Sequence, residues 1–225
     1  MHIEPGIVTG AKLMLGAVTA AGALTVTTKM AVEFFCKNGV FSLLSRTLVC
    51  TLAVLVFFEI LPHHPVGASE VHFIFGTSLF LLFGAVPAAL GLAAGLALQS
   101  VFLAPVDLPQ LGMNLTTLIV PLLAIQGLAR KIIAKETAYV DLNYAQSLKL
   151  SLAYQGGVVV WVAFWVLFGQ GANVATLTSI GTFGAAYLVV IAVEPIVDLG
   201  LLALAKSGRN LASSPIFSER LFTTG

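Results

Sequence analysis

Residues 177–205 read LTSIGTFGAAYLVVIAVEPIVDLGLLALA, and Glu194 and Asp198 are the only charged residues in the run. It exceeds the roughly 20 apolar residues that carry a helix across a hydrocarbon core. A chain in lipid must satisfy its own backbone amides, so this stretch sets the fold as membrane-spanning helix. Six more apolar segments precede it: about 9–28, 41–61, a short one at 71–83, 86–103, 111–133 and 148–168. Around Gly84-Ala85-Val86-Pro87 the pattern leaves two readings open, a break between helices or one long helix kinked at proline.

The whole composition agrees. Of 225 residues 58% are apolar and 9% charged, with mean hydropathy +1.00. Soluble domains carry about 25% charged residues. The chain therefore reads as an all-α integral membrane protein with about seven spans. A net charge of +1 without a basic patch gives nucleic acid no footing. Cys36 and Cys50 form no CxxC and read as small apolar residues. There is no HExxH, phosphate-cradling glycine loop or GxSxG, so no enzymatic activity is expected of this chain.

Charge orients the spans, because Lys and Arg concentrate on the cytoplasmic side. With the N-terminus outside and seven crossings, Lys29, Lys37, Arg130, Lys131, Lys135, Lys149, Lys206, Arg209 and Arg220 all fall inside, and Arg46 lies just within the second segment. Lys12 alone is on the other side. The expected organisation is one transmembrane domain, 1–205, opening with a loop at 1–8, followed by a cytoplasmic tail at 206–225.

The opening Met1-His2-Ile3-Glu4-Pro5-Gly6 then lies on the face from which an imported solute arrives. With a free terminus, the Met1 amine, the His2 amide nitrogen and His2 Nδ1 can close consecutive five- and six-membered chelate rings. Three nitrogens near one plane suit nickel or copper, with cobalt possible. The plainer reading is a polar residue on a frayed end. A cleaved leader ending near Ala20-Ala21-Gly22-Ala23 would remove His2, and it competes with the run continuing as a span to Lys29.

His63, His64 and His72 fall on the same outer face by this topology. Imidazole is the most usual side-chain metal ligand. His72 ends Gly67-Ala68-Ser69-Glu70-Val71-His72, a small-residue loop opening the third segment, able to approach an inserted N-terminus. His63 and His64 read as solvent-facing or supporting. Gln99 and Asn114, at outer helix ends, are candidates to hydrogen-bond a ligating imidazole or the N-terminal loop. Glu194 and Asp198, four apart beside Pro195, read either as a cation or proton relay or as groups holding helices together. Gly16-x-x-x-Ala20 offers a small-residue face, for a partner helix or for internal packing.

These residues resemble a known family. Met1-His2-Ile3 followed by Gly6 is similar to the opening of substrate-capture subunits of energy-coupling factor transporters for cobalt and nickel, the CbiM/NikM type. The block 67–72 with Gly76 and Gly84 resembles that family's Gly-Thr-Ser/Thr-x-His block. Gln99 and Leu111-Gly112-Met113-Asn114 match its Gln and Leu-Gly-x-Asn, although Thr117 stands where a second asparagine is usual. The resemblance implies Co2+ or Ni2+ bound by Met1, His2 and His72, with Ser69, Gln99 and Asn114 in support and no cofactor besides the transported ion. It also implies a multi-pass protein of a prokaryotic cell membrane, among lipid, working with a transmembrane coupling subunit and cytoplasmic ATPase subunits. Two other readings stand beside it: a proton- or cation-coupled secondary transporter using Glu194 and Asp198, and a non-transporting subunit assembled through its small-residue faces.

Overall fold

The computed structural model describes residues 3–208 and 214–223. Helices dominate, and five stretches are long and apolar enough to cross a membrane: Gly10–Glu59, Ala85–Leu103, Pro105–Ile132, Tyr144–Gln170 and Val174–Ser207. The first contains α1, Leu13–Glu59, whose 47 residues exceed any single bilayer crossing. Gly39 interrupts it at φ 79°, ψ 165°, a conformation open to glycine because it lacks Cβ. Lys12 at its start donates to the Phe168 and Gly169 carbonyls at 2.9 and 3.0 Å, and Glu59 at its end accepts from Gln99 at 2.6 Å. Its middle, around Phe34 and Lys37, instead shares a groove with Gln126 and Arg130. The element is thus a helical hairpin, folded back on itself at Gly39.

After α1 come β1, His64–Val66, and β2, Ser69–Val71, then α2, Gly76–Phe83, and α3, Ala85–Leu98, which continues as a π-turn through Leu103. The helices α4, Leu111–Ile132, α5, Tyr144–Gln170, and α6, Val174–Ser207, complete the bundle, and a short α7, Glu219–Phe222, ends the described chain. The buried core runs through α3, α4 and the inner faces of α5 and α6. Large apolar residues stay exposed along α1 and α6, among them Met14, Leu44, Leu48, Leu188 and Ile196, as a lipid-facing surface requires.

One sequence expectation changes and one open question closes. The third apolar segment becomes helical only at Gly76, so His72 does not open a helix. Residues 64–71 instead form an antiparallel hairpin, with His64 opposite Val71 and Val66 opposite Ser69. Three-residue strands are too short to leave an alternating pattern. Gly67 turns the hairpin at φ 64°, and a Cβ there would meet the Ser179 carbonyl oxygen at 2.3 Å, so the tip presses on the start of α6. Second, α2 and α3 are separate helices, because Gly84 stands between them at φ 92°, ψ 161°.

Residues 214–223 pack on the opposite end of the bundle. Ser42 Oγ and Arg46 Nε both donate to the Pro215 carbonyl, at 3.0 and 2.7 Å, and Ser218 N–H donates to the Leu82 carbonyl at 2.8 Å. The Gly16 face is spent inside the chain: a Cβ on Gly112 would meet the Gly16 carbonyl oxygen at 2.6 Å, and Ala20 is buried too. Of the two readings of this face, partner docking or internal packing, Gly16 shows the second, because the paired glycines let the α1 and α4 backbones touch.

Candidate metal centre

Met1 and His2 lie outside the described residues. The chain that follows them is threaded into the bundle. Ile3 forms an antiparallel bridge with Ser69, extending the hairpin by one residue. Its N–H donates to Asn114 Oδ1 at 3.0 Å, a bond spanning 111 positions of sequence. Glu4 N–H donates to the Ala68 carbonyl at 3.2 Å. The Ile3 side chain is fully buried with Val8, Met113 and Trp165, and the chain leaves through a turn closed by Ile7 N–H on the Glu4 carbonyl at 3.2 Å. Gly6 takes φ 93° in that turn, and Gly169 lets the Ile7 carbonyl approach α5 to where a Cβ would stand at 2.1 Å.

Asn114 reaches Ile3 because it stands in the first turn of α4, fully buried, at the end of the bundle that holds the hairpin. Its Nδ2 has no hydrogen-bond partner among the described residues. Ser69 is also fully buried, on the strand that Ile3 joins.

His72 is fully buried beyond that strand. Its Nε2 meets Glu70 Oε2 at 2.9 Å. Its ring lies between Phe58, tilted with centroids 5.2 Å apart, and His63, stacked at 5.0 Å with planes 11° apart. The carboxylate fixes one ring nitrogen and the flanking rings fix the plane, which is how a ligating imidazole is held. His63 thus packs directly on His72, while His64 is exposed on β1.

The surroundings are acidic. The Glu4 carboxyl is pushed above the usual carboxylate range by burial first, then by the negative charges of Glu70 and Asp107. A positive ion here would relieve that repulsion. Gln99 Nε2 donates to Glu59 Oε1 at 2.6 Å. Among the described residues no three His, Cys, Asp or Glu side chains converge as a ligand set.

Sequence reasoning assigned no role to Glu70, Phe58, Asp107 or Ile3. Glu70 was within reach, since residues i and i+2 of an extended chain point the same way and His72 follows it by two. Phe58 and Asp107 come from distant segments, and no local pattern joins them to the hairpin.

Two solved structures share this architecture. One is described as a truncated transition metal transporter, 17% identical, covering 92% of this chain and 99% of that one at a TM-score of 0.72. The other is described as a transition metal transporter, also 17% identical, covering 93% and 94% at 0.72. None of the curated proteins compared with the chain matches it significantly. The profile of CbiM, the cobalt uptake substrate-specific transmembrane region, matches residues 2–210. Nearly the whole length is thereby accounted for, and the chain is a multi-pass membrane protein that belongs to the CbiM cobalt uptake family.

Proposed function

We propose that this protein captures Co2+ or Ni2+ at the outer face of a prokaryotic cell membrane and passes it inward with a transmembrane coupling subunit and cytoplasmic ATPase subunits. The ligands in this reading are the Met1 amine, the His2 amide and Nδ1, and His72. The reading requires that Met1 carry the free amine. One observation carries it: Ile3 is stitched into the hairpin beside Ser69 and bound to Asn114. Two residues span at most about 7 Å, so ligands at positions 1 and 2 call for a site close to the anchored Ile3, which supports the reading. The contact of His72 Nε2 with Glu70 Oε2 supports a held imidazole as the fourth donor. Glu4, Glu70 and Asp107 supply the negative field that draws a dication in.

Counting α1 as two crossings, and residues 72–83 with the short α2 as one more ending beside Ser218, gives the seven crossings of the sequence reading. The N-terminus is then outside and the 206–225 tail cytoplasmic. A frayed end and a cleaved leader both predict no role for residue 2.

The experiment is metal analysis of protein purified with an untagged terminus, whose mass verifies that Met1 is present. About one Co2+ or Ni2+ per chain is expected, lost in His2→Ala and in a variant extended before Met1, both still folded. Normal binding by the extended variant eliminates the amine as a ligand.

A further inference from the structure

Glu194 and Asp198 sit one turn apart on α6, buried in the bundle interior. Glu194 Oε1 accepts from Thr77 N–H at 3.3 Å, and its Oε2 accepts from Ser151 Oγ at 2.8 Å and Gln155 Nε2 at 2.7 Å. Asp198 accepts from Ser78 Oγ and, at 3.2 Å, from Ser147 Oγ. Among the described residues neither carboxylate has a Lys, Arg or His ion-pair partner. Two buried carboxylates without a positive partner are strongly disfavoured in a membrane interior.

A second observation comes from their neighbours. Thr77 Oγ1 and Gln155 Oε1 are fully buried and have no hydrogen-bond partner among the described residues. Each belongs to a residue whose other polar atom already holds Glu194. A proton on a carboxylate would neutralise charge but leave the Gln155 carbonyl oxygen, a pure acceptor, unsatisfied. A cation satisfies both needs at once. Every group available to it is an oxygen, the donor set of hard cations rather than of an imidazole-seeking transition metal.

We infer that α2, α5 and α6 build a second site, for a hard cation of the sodium, magnesium or calcium class, centred on Glu194 and Asp198. It stands independently of the N-terminal reading. Its occupant ties α2 to α5 and α6, and α2 begins at Gly76, four residues past His72. The filled site therefore steadies the segment that carries the outer imidazole.

The test uses full-length protein stripped of transition metal by chelator. Direct binding of radiolabelled Na+ or Ca2+, and Mg2+ by competition, is expected at one ion per chain for at least one of them. The same ion should raise the melting temperature saturably, by about 5 °C or more at a hundredfold excess over its dissociation constant. His2→Ala is expected to keep that response, and the near-isosteric Glu194→Gln/Asp198→Asn double variant to lose it. Absence of binding of all three ions to the wild-type protein overturns the proposal, which stays testable even if the double variant does not fold. A response surviving in a folded double variant, or stability that follows pH alone, also overturns it.

Discussion

Replacing Asn114 by Ala removes the acceptor that takes the Ile3 N–H at 3.0 Å. Both residues are fully buried, so in the docked state the Ile3 amide loses its partner and gains no water. An unpaired buried donor costs about 1–3 kcal/mol. Undocked, the same amide is hydrated, so the cost falls on docking of the N-terminal segment. At about 1.4 kcal/mol per factor of ten, docking weakens roughly 5- to 150-fold. Where the segment docks only with the ion bound, cobalt affinity falls by that whole factor; where it is already docked, by less. The remaining tethers, the Glu4 bond to Ala68 and the Ser69 bridge, keep the strand in register, so partial loss is expected. The assay is chelator-competition titration with Co2+ on untagged protein, alongside a melting curve. Asn114→Asp, which retains an oxygen acceptor, should bind more tightly than the alanine variant. Folded Asn114→Ala protein binding cobalt within twofold of wild type would refute the argument that this bond holds the site together.

Four shorter predictions follow from other contacts. Ile3→Ala opens a cavity among Val8, Met113 and Trp165 and should weaken metal binding more than it lowers the bundle's melting temperature, because only the N-terminal segment is released; equal losses in both would count against this. Gly112→Ala forces a Cβ against the Gly16 carbonyl oxygen and should destabilise the protein by about 1–3 kcal/mol, read by thermal unfolding. Arg46→Leu removes donors to the Pro215 and Phe83 carbonyls and should raise the rate of proteolysis within 214–223 while the helices stay protected. Glu4, with its folded pKa raised above the ordinary 4.5, favours the docked segment when protonated; docking without metal should weaken as pH rises from about 4.5 through the raised value, and Glu4→Gln should flatten that slope in hydrogen exchange of the Ile3 and Glu4 amides.

Much of the architecture was legible because apolar run length is a one-dimensional signal. The segments read at 111–133, 148–168 and 177–205 fall within a few residues of α4, α5 and α6. The histidine block at 67–72 was legible too, since imidazole and glycine stand out against an apolar background. What failed was local and short. The hairpin at 64–71 depends on Gly67 turning and on Ile3 arriving from far away to extend it. Gly16 could be read only as a small-residue face, and its use against Gly112 depended on which helix came beside it.

The sequence by itself determined the solvent and the long spanning helices, because in lipid each helix must satisfy its own amides whatever its neighbours are. It also named His72 and Asn114 as residues of interest. Only the tertiary structure decided that Asn114 holds the Ile3 backbone, that His63 and Phe58 clamp the ring of His72, and that Glu194 and Asp198 meet oxygen groups from α2 and α5. Each of these joins residues from different elements, through hydrogen bonds and ring contacts that form only at a few ångströms. No periodicity along the chain encodes such a distance; it is set when helices with matching small-residue faces pack and carry their polar side chains together.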